Sequence, residues 1–279
     1  MFIADAQVHI WAPNSPQRPW ATGNVHRATP LEAPEVLREM DAAGVHRVVL
    51  VPPSLDADRN DLSLDAARQY PDRFAVMGRL NPDLPDAKEQ VATWKSSQPG
   101  MLGLRYSFNR PQLITALNNG TLDWLWAAAE QAALPVMILI ASDMTPAVER
   151  MAVRYPQLKI TLDHMGLTQG KYDDEAFAGY EGVLGLARYQ NVAIKASALA
   201  CYTRDVYPYR ALFPQFKRVY DAFGPQRIFW GTDLSRLPCT YAQAVSMFTE
   251  EIEWLSAADK EWIMGRGLCE WLNWPRLQA

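Results

Sequence analysis

A single-domain (β/α)8 barrel, an α/β fold of the TIM-barrel type, is the class this 279-residue sequence predicts, on three observations. Short apolar runs rich in Val, Ile, Leu and Phe recur, each followed by a longer stretch with helical spacing. The runs are continuous rather than alternating, which is the pattern of parallel strands buried on both faces. Neither GxGxxG nor GxxxxGK[ST] follows any of them, so the rival architecture, an open doubly wound sheet, lacks its nucleotide-binding signature. The length suits one barrel over 1–279, with no interdomain linker, low-complexity tract or internal repeat.

In chain order, eight strands are expected near 2–9 (FIADAQVH), 46–52 (HRVVLVP), 74–80 (FAVMGRL), 101–106 (MLGLRY), 135–141 (PVMILIA), 159–164 (KITLDH), 191–197 (NVAIKAS) and 227–233 (RIFWGTD). Between them, 34–44 opens with Pro at a helix start and closes with Gly, the usual asymmetry of helix ends. The segment 61–71 begins at Asp61 as a cap and stops at Pro71. Helices over 121–134, 145–156, 213–224 and 256–272 follow the same logic. Right-handed crossovers then close the strands into a barrel. The connection 10–33, with its Pro and Arg residues, is too polar for a core and is expected to arch over the barrel mouth.

Composition narrows the partners. Hydrophobic residues make up 49 %, enough for a large core without staples. Lys and Arg number 27 against 31 Asp and Glu, so there is no electrostatic footprint for nucleic acid and no polybasic run for a membrane surface. No apolar run approaches the roughly 20 residues of a membrane helix. The opening MFIADAQVHIW lacks the basic start and long apolar core of a signal peptide. Cys201, Cys239 and Cys269 are scattered without CxxC spacing and read as reduced thiols, so the expected location is the cytoplasm. Trp254, Trp262, Trp271 and Trp274 crowd the C-terminal segment and read as core or subunit-interface packing, which makes a homodimer a candidate assembly.

Barrel enzymes take their catalytic groups from the C-terminal ends of several strands. Here the first strand ends in Gln7-Val8-His9, and residues two apart share a face, so Gln7 and His9 point together into the mouth. The third ends in Arg79, the fourth carries Arg105 and Tyr106, the sixth ends in Asp163-His164, the seventh in Lys195-Ala196-Ser197 and the eighth in Asp233. Of the other two histidines, His26 lies in the long loop and His46 begins a strand at the opposite end. Taken singly, each has a structural alternative: a hydrogen-bonded histidine, a helix-capping Asp233, an Arg105 paired with a core-edge acid, or Lys195 paired with Asp163. Their coincidence at one kind of position points to a site. A carboxylate with imidazoles can deprotonate water and polarise a carbonyl. No serine sits in GxSxG and no cysteine at a strand–helix turn, so water attack is expected rather than a covalent acyl-enzyme. An arginine at the mouth suits an anionic substrate.

Several motifs, in order from end to end, resemble one family. Asp5-Ala6-Gln7-Val8-His9-Ile10-Trp11 resembles the D-x-H-x-H-x-W opening of the amidohydrolase-related family, TIM-barrel hydrolases of the amidohydrolase superfamily. Thr161-Leu162-Asp163-His164-Met165-Gly166 is similar to its sixth-strand D-H-x-G motif, and Phe229-Trp230-Gly231-Thr232-Asp233 to its eighth-strand W-G-[ST]-D. Gly103-Leu104-Arg105-Tyr106 looks like its fourth-strand stretch, and Ile263 to Gly267 like its closing helix without the Asn. In pattern the chain looks most like the lactonases of the family, those of sugar acids and of 2-pyrone-4,6-dicarboxylate. The resemblance implies that Asp233 is the general acid/base that activates water, that His164 and His9 bind or polarise the carbonyl, and that Arg105 holds a substrate carboxylate.

The departures bear on the metal. The first histidine of H-x-H is Gln7, and no histidine ends the fifth strand, where metal-dependent relatives place a ligand. A catalytic zinc wants three N or O protein ligands. The nearest set is His9, His164 and Asp233, with a neutral Gln7 amide beside it. The expectation is therefore a metal-independent hydrolase opening a carboxylated or polyhydroxylated lactone, with Arg79, Gln7, Ser197 and Tyr106 as further polar contacts and Arg110 either helping or facing solvent. The alternatives are an amidohydrolase or decarboxylase with one divalent zinc or manganese at His9, His164 and Asp233, and a non-catalytic barrel that binds a small acid.

Overall fold

The computed structural model describes residues 1–22, 26–27 and 29–275. Every expected run forms a strand: β1 (Ala4–Val8), β2 (Arg47–Leu50), β3 (Phe74–Gly78), β4 (Met101–Ser107), β5 (Val136–Leu139), β6 (Ile160–Leu162), β7 (Val192–Ser197) and β8 (Ile228–Gly231). They form one parallel sheet in the order β1 to β8, alternating with helices and curling into a nearly closed barrel. Most strands are shorter than their apolar runs, chiefly at the C-terminal ends. There the backbone leaves the ladder, and the candidate site residues sit.

The seam between β8 and β1 is closed largely by a side chain. The amide of Asp233 donates to Gln7 O at 2.9 Å. Beneath that bond the Asp5 carboxylate, fully buried, accepts from Thr232 N at 2.9 Å, from the Thr232 hydroxyl, from Tyr241 OH at 2.8 Å and from Gln7 N at 2.8 Å. Burial raises its pKa to about 6 despite these donors. The acid of the first-strand motif is thus a clasp between strands.

Side chains alternate between two cores, as the strand period requires. Val49, Val51, Ala75, Met77, Met137, Ala193 and Phe229 fill the barrel interior together with Leu268, Cys269, Leu272 and Trp274. Val48, Leu50, Val76, Leu104, Ile138, Leu162, Ile194 and Trp230 face outward into the larger core shared with the helices. Each such fully buried aliphatic side chain contributes about 1.5–3 kcal/mol, so the scaffold holding the mouth is stiff. The C-terminal tryptophans mostly pack: Trp274 lies under Arg47, whose guanidinium is 4.4 Å from its ring, and Trp271 meets Phe229 at 5.8 Å. Trp254 remains partly exposed.

Helices Ala33–Ala43, Asp123–Gln131, Thr145–Arg154 and Phe213–Phe223 match expectation, and Gly44 ends the first in the left-handed region at φ 71°. Two expectations need correction. Helix Asp61–Gln69 is preceded by Asn60, and Asp61 instead receives Arg18 through two hydrogen bonds of 2.7 and 2.8 Å. The span 256–272 is not one helix: Ala257–Glu261 and Gly267–Leu272 flank a π-helical turn, Trp262–Arg266. Gly265 presses against β1 there, where a Cβ would come within 2.9 Å of Ala4 N. The described part of 10–33 does cross the mouth, tied by the Trp11–Leu31 bridge, by Ala21 N to Leu55 O at 2.7 Å and by Arg18. No helix among the described residues is long and apolar enough to cross a membrane.

Candidate active site

At the C-terminal end of the barrel lies a cavity of about 290 Å³. Its floor is a buried layer of paired charges. Asp163, at the end of β6, meets Arg105 Nε at 3.0 Å and Lys195 Nζ at 2.5 Å. Lys195 Nζ also donates to Gln7 Oε1 at 2.5 Å and lies 3.3 Å from Met137 Sδ. Burial alone would raise the Asp163 carboxyl, but Lys195 and Arg105 hold it down at about 2. Lys195, fully buried, is pushed below the usual lysine value by desolvation, against the pull of Asp163. Both pairings weighed for Arg105 and Lys195 from the sequence are therefore present. Two cations share one carboxylate, which leaves the floor positively biased. Arg105 also donates to Ser107 Oγ, while still lining the cavity.

Above this layer Asp233 stands between two imidazoles. Its Oδ1 is 3.2 Å from His9 Nε2, and its Oδ2 is 3.6 Å from His164 Nε2 and 3.2 Å from Arg236 Nη1. Burial opposes ionisation of Asp233, yet His9, His164 and Arg236 outweigh it and hold the carboxyl well below its ordinary value. Oδ1 is buried and has no hydrogen-bond partner in adequate alignment. His9 Nδ1 faces Val51 O at 2.5 Å, and since a carbonyl only accepts, Nδ1 carries a proton. His164 is anchored by Ser197, whose Oγ lies 2.8 Å from Nδ1 and accepts the His164 amide at 3.3 Å. Desolvation lowers the His164 pKa to about 4 in spite of Asp233 and Asp163, so its ring is neutral near pH 7.

The backbone aims these groups. His164, Met165, Ala198 and Asp233 occupy the left-handed region at φ 51°, 54°, 53° and 53°. Each L residue there costs on the order of 1–2 kcal/mol, and such strain clusters at functional sites. The ends of β6 and β8 therefore turn sharply at the positions that carry His164 and Asp233 to the mouth, while Ser197, expected as a polar contact, ends β7 behind His164 and does not line the cavity.

The remaining candidates divide. Arg79 lines the cavity, its backbone N held by Asn60 Oδ1 at 2.7 Å and its Nε donating to Pro52 O at 2.7 Å. Burial, with Arg105 and Arg110 nearby, presses its guanidinium downward, and a guanidinium stays charged in proteins, so the pressure is relieved by an anion. Exposed Arg110 also reaches the cavity. Tyr106 does not reach the lining of this cavity. Next to inward-facing Arg105, it points outward, its ring 5.8 Å from Trp126 and its hydroxyl donating to Leu80 O at 3.0 Å. Two groups join the site beyond those expected: Arg236, one helical turn after Asp233, and His26, whose ring lies 6.2 Å from that of His9 and whose Nδ1 is 2.9 Å from Ser235 Oγ.

Among the described residues no three His, Cys, Asp or Glu side chains are arranged to hold a metal. The one good ligating atom of Gln7, Oε1, is occupied by Lys195, whose positive charge would repel a cation placed beside it.

Comparison with known proteins fits this architecture. The chain is 27 % identical over 248 residues to a 4-sulfomuconolactone hydrolase of Hydrogenophaga intermedia, across 82 % of this chain and 73 % of that one. It is 26 % identical over 250 residues to an L-fucono-1,5-lactonase of Burkholderia ambifaria, across 85 % of this chain and 82 % of the other. The solved structure of an amidohydrolase from Burkholderia multivorans, with zinc bound, superposes with a TM-score of 0.83 at 21 % identity, covering 99 % of this chain and 100 % of that one. The amidohydrolase family model matches residues 4–266. The chain belongs to the amidohydrolase family and is a hydrolase built on its TIM barrel.

Proposed function

We propose that the protein opens a lactone, one bearing a carboxylate or several hydroxyls, by direct attack of water and without a metal. The observation that carries this reading is Asp233: a buried, ionised carboxylate set between two imidazoles in an arginine-lined cavity. Asp233 accepts one proton from water as the water oxygen bonds to the lactone carbonyl carbon. His9 and His164 steady the oxyanion. The ring C–O bond then breaks, and the proton held by Asp233 passes to the departing oxygen. A carboxylate so strongly held in its ionised form is a weak base, which suits a strained and reactive lactone better than an amide. Arg105, Arg79 and Arg236 supply the positive field that orients an anionic substrate, with Ser197 fixing the His164 ring.

The relatives supply the first probes. Protein dialysed against a chelator is assayed for ring opening of 4-sulfomuconolactone, L-fucono-1,5-lactone and 2-pyrone-4,6-dicarboxylate, alongside elemental analysis. Turnover of at least one lactone at unchanged rate without metal is expected, and Asp233→Asn lowers kcat by several orders of magnitude while leaving the fold intact. Stoichiometric zinc or manganese with chelator-sensitive activity overturns the metal-free part. Near-normal turnover in Asp233→Asn sinks the mechanism, and ligand-dependent thermal stabilisation with no turnover points to a binding barrel.

A further inference from the structure

Lys195 is completely buried, and the mechanism above does not use it. Its ammonium has three donors and no acceptor, so the Gln7 atom 2.5 Å away must be the amide oxygen. Amide orientation is otherwise ambiguous, and here a donor-only neighbour decides it. The Gln7 NH2 is thereby turned the other way, to within 3.5 Å of His9 Nε2 at the wall of the cavity. Gln7 itself is fully buried at that wall, and its NH2 meets no other acceptor among the described residues.

We propose that Lys195 is a positioning residue that fixes the Gln7 amide so that its nitrogen donates a hydrogen bond to the oxygen of the attacked carbonyl. This rests on the lactonase reading and deepens it. A histidine at position 7 would offer a lone pair to whatever lies in the mouth, whereas a Gln held this way offers N–H. Were the amide free to flip, its oxygen would face the developing oxyanion and repel it. Asp163 serves the same arrangement from below, since it holds Lys195 Nζ at 2.5 Å and keeps the ammonium under Gln7. The cation and the amide together form a relay of fixed polarity: carboxylate, ammonium, amide oxygen, amide nitrogen, substrate oxygen.

The test compares two substitutions at Gln7 that a packing role and a donor role rank oppositely. Gln7→Glu keeps the shape and the bond to Lys195 but turns an acceptor oxygen on the substrate, whereas Gln7→Met removes both. With a lactone that the wild type opens, kcat is expected to fall 10- to 100-fold in Gln7→Met and further in Gln7→Glu, with KM within about three-fold, as for loss of an oxyanion donor. The melting temperature is expected to rank the other way, Gln7→Glu above Gln7→Met. A Gln7→Glu enzyme at least as active as Gln7→Met overturns the proposal. Lys195→Met is expected to lower kcat in the wild-type background and to add nothing once Gln7 is Met. If that variant fails to fold, the Gln7 pair still decides. Neutron diffraction from deuterated wild-type crystals gives a readout independent of turnover. The amide deuterons on the cavity side uphold the orientation set by Lys195; with that orientation found but no lactone opened, the proposed function fails and the donor role falls with it. The amide oxygen on that side overturns it.

Discussion

The His164 ring gives a quantitative handle on how the site is built. In the fold its pKa is about 4 against an ordinary value of 6.5, because burial excludes the charged form. The unfolded chain therefore binds a proton between pH 6.5 and 4 that the folded chain refuses. Stability then rises with pH across that window, is complete above 6.5 and is lost as the pH falls. A shift of that size corresponds to about 3 kcal/mol at its limit, since one pKa unit is worth roughly 1.4 kcal/mol. At pH 4.5 most of it, about 2–3 kcal/mol, is already gone relative to pH 7.5. Asp5 acts in the opposite direction: its pKa is raised from 3.8 to about 6, so the folded chain binds the extra proton and stability falls as pH rises through that range. The two nearly cancel in the wild type, and the term must be isolated by difference. Urea unfolding of wild type and His164→Gln at pH 7.5, 5.5 and 4.5 is the measurement. The wild-type advantage is expected to shrink by about 2–3 kcal/mol over this range. A difference that stays flat to within about half a kcal/mol would mean that the folded ring takes up its proton freely, and the account of His164 as a buried neutral group would be wrong.

Three further outcomes follow from the geometry. Arg236→Met removes the cation 3.2 Å from Asp233 Oδ2, so Asp233 should protonate at higher pH and the acid limb of kcat/KM should move upward; an unmoved limb in the pH–rate profile refutes the contact. Asp5→Ala leaves the donors of Gln7, Thr232 and Tyr241 facing nothing at the β1–β8 seam and should cost about 3 kcal/mol or more in urea unfolding. A cost under about 1 kcal/mol would show that the seam does not need its clasp. Tyr106→Phe loses one hydrogen bond to Leu80 O, about 1 kcal/mol of stability, with KM unchanged; a several-fold rise in KM would put the hydroxyl in the mouth after all.

The barrel was legible because parallel strands buried on both faces leave continuous apolar runs, and each of those runs forms its strand. The strand-end rule then brought Gln7, His9, Arg79, Arg105, His164 and Asp233 to one cavity, with Ser197 buried behind the His164 ring. Tyr106 was misplaced although the signal was present: on a strand the neighbour of an inward Arg105 points outward. Arg236 could have been found from its spacing, one helical turn after Asp233. His26 could not, because it reaches the mouth from an aperiodic loop whose path depends on tertiary ties such as Arg18 to Asp61. The break in 256–272 was invisible for a similar reason. Gly265 is an ordinary glycine until the backbone of β1 lies against it. The pairing of Lys195 with Asp163 is among the structural alternatives the sequence raises, but its second partner, Gln7, lies on a strand distant in sequence, and the spacing within any one strand gives no hint of it.

The left-handed turns at His164 and Asp233 have an evolutionary corollary. At such positions glycine relieves strain of about 1–2 kcal/mol that an L side chain endures, so substitutions that erase the functional side chain could also make the protein sturdier. Selection for stability and selection for chemistry thus pull against each other at these two positions. Screens that rank variants by thermal resistance alone will tend to enrich glycine there and discard the working enzyme.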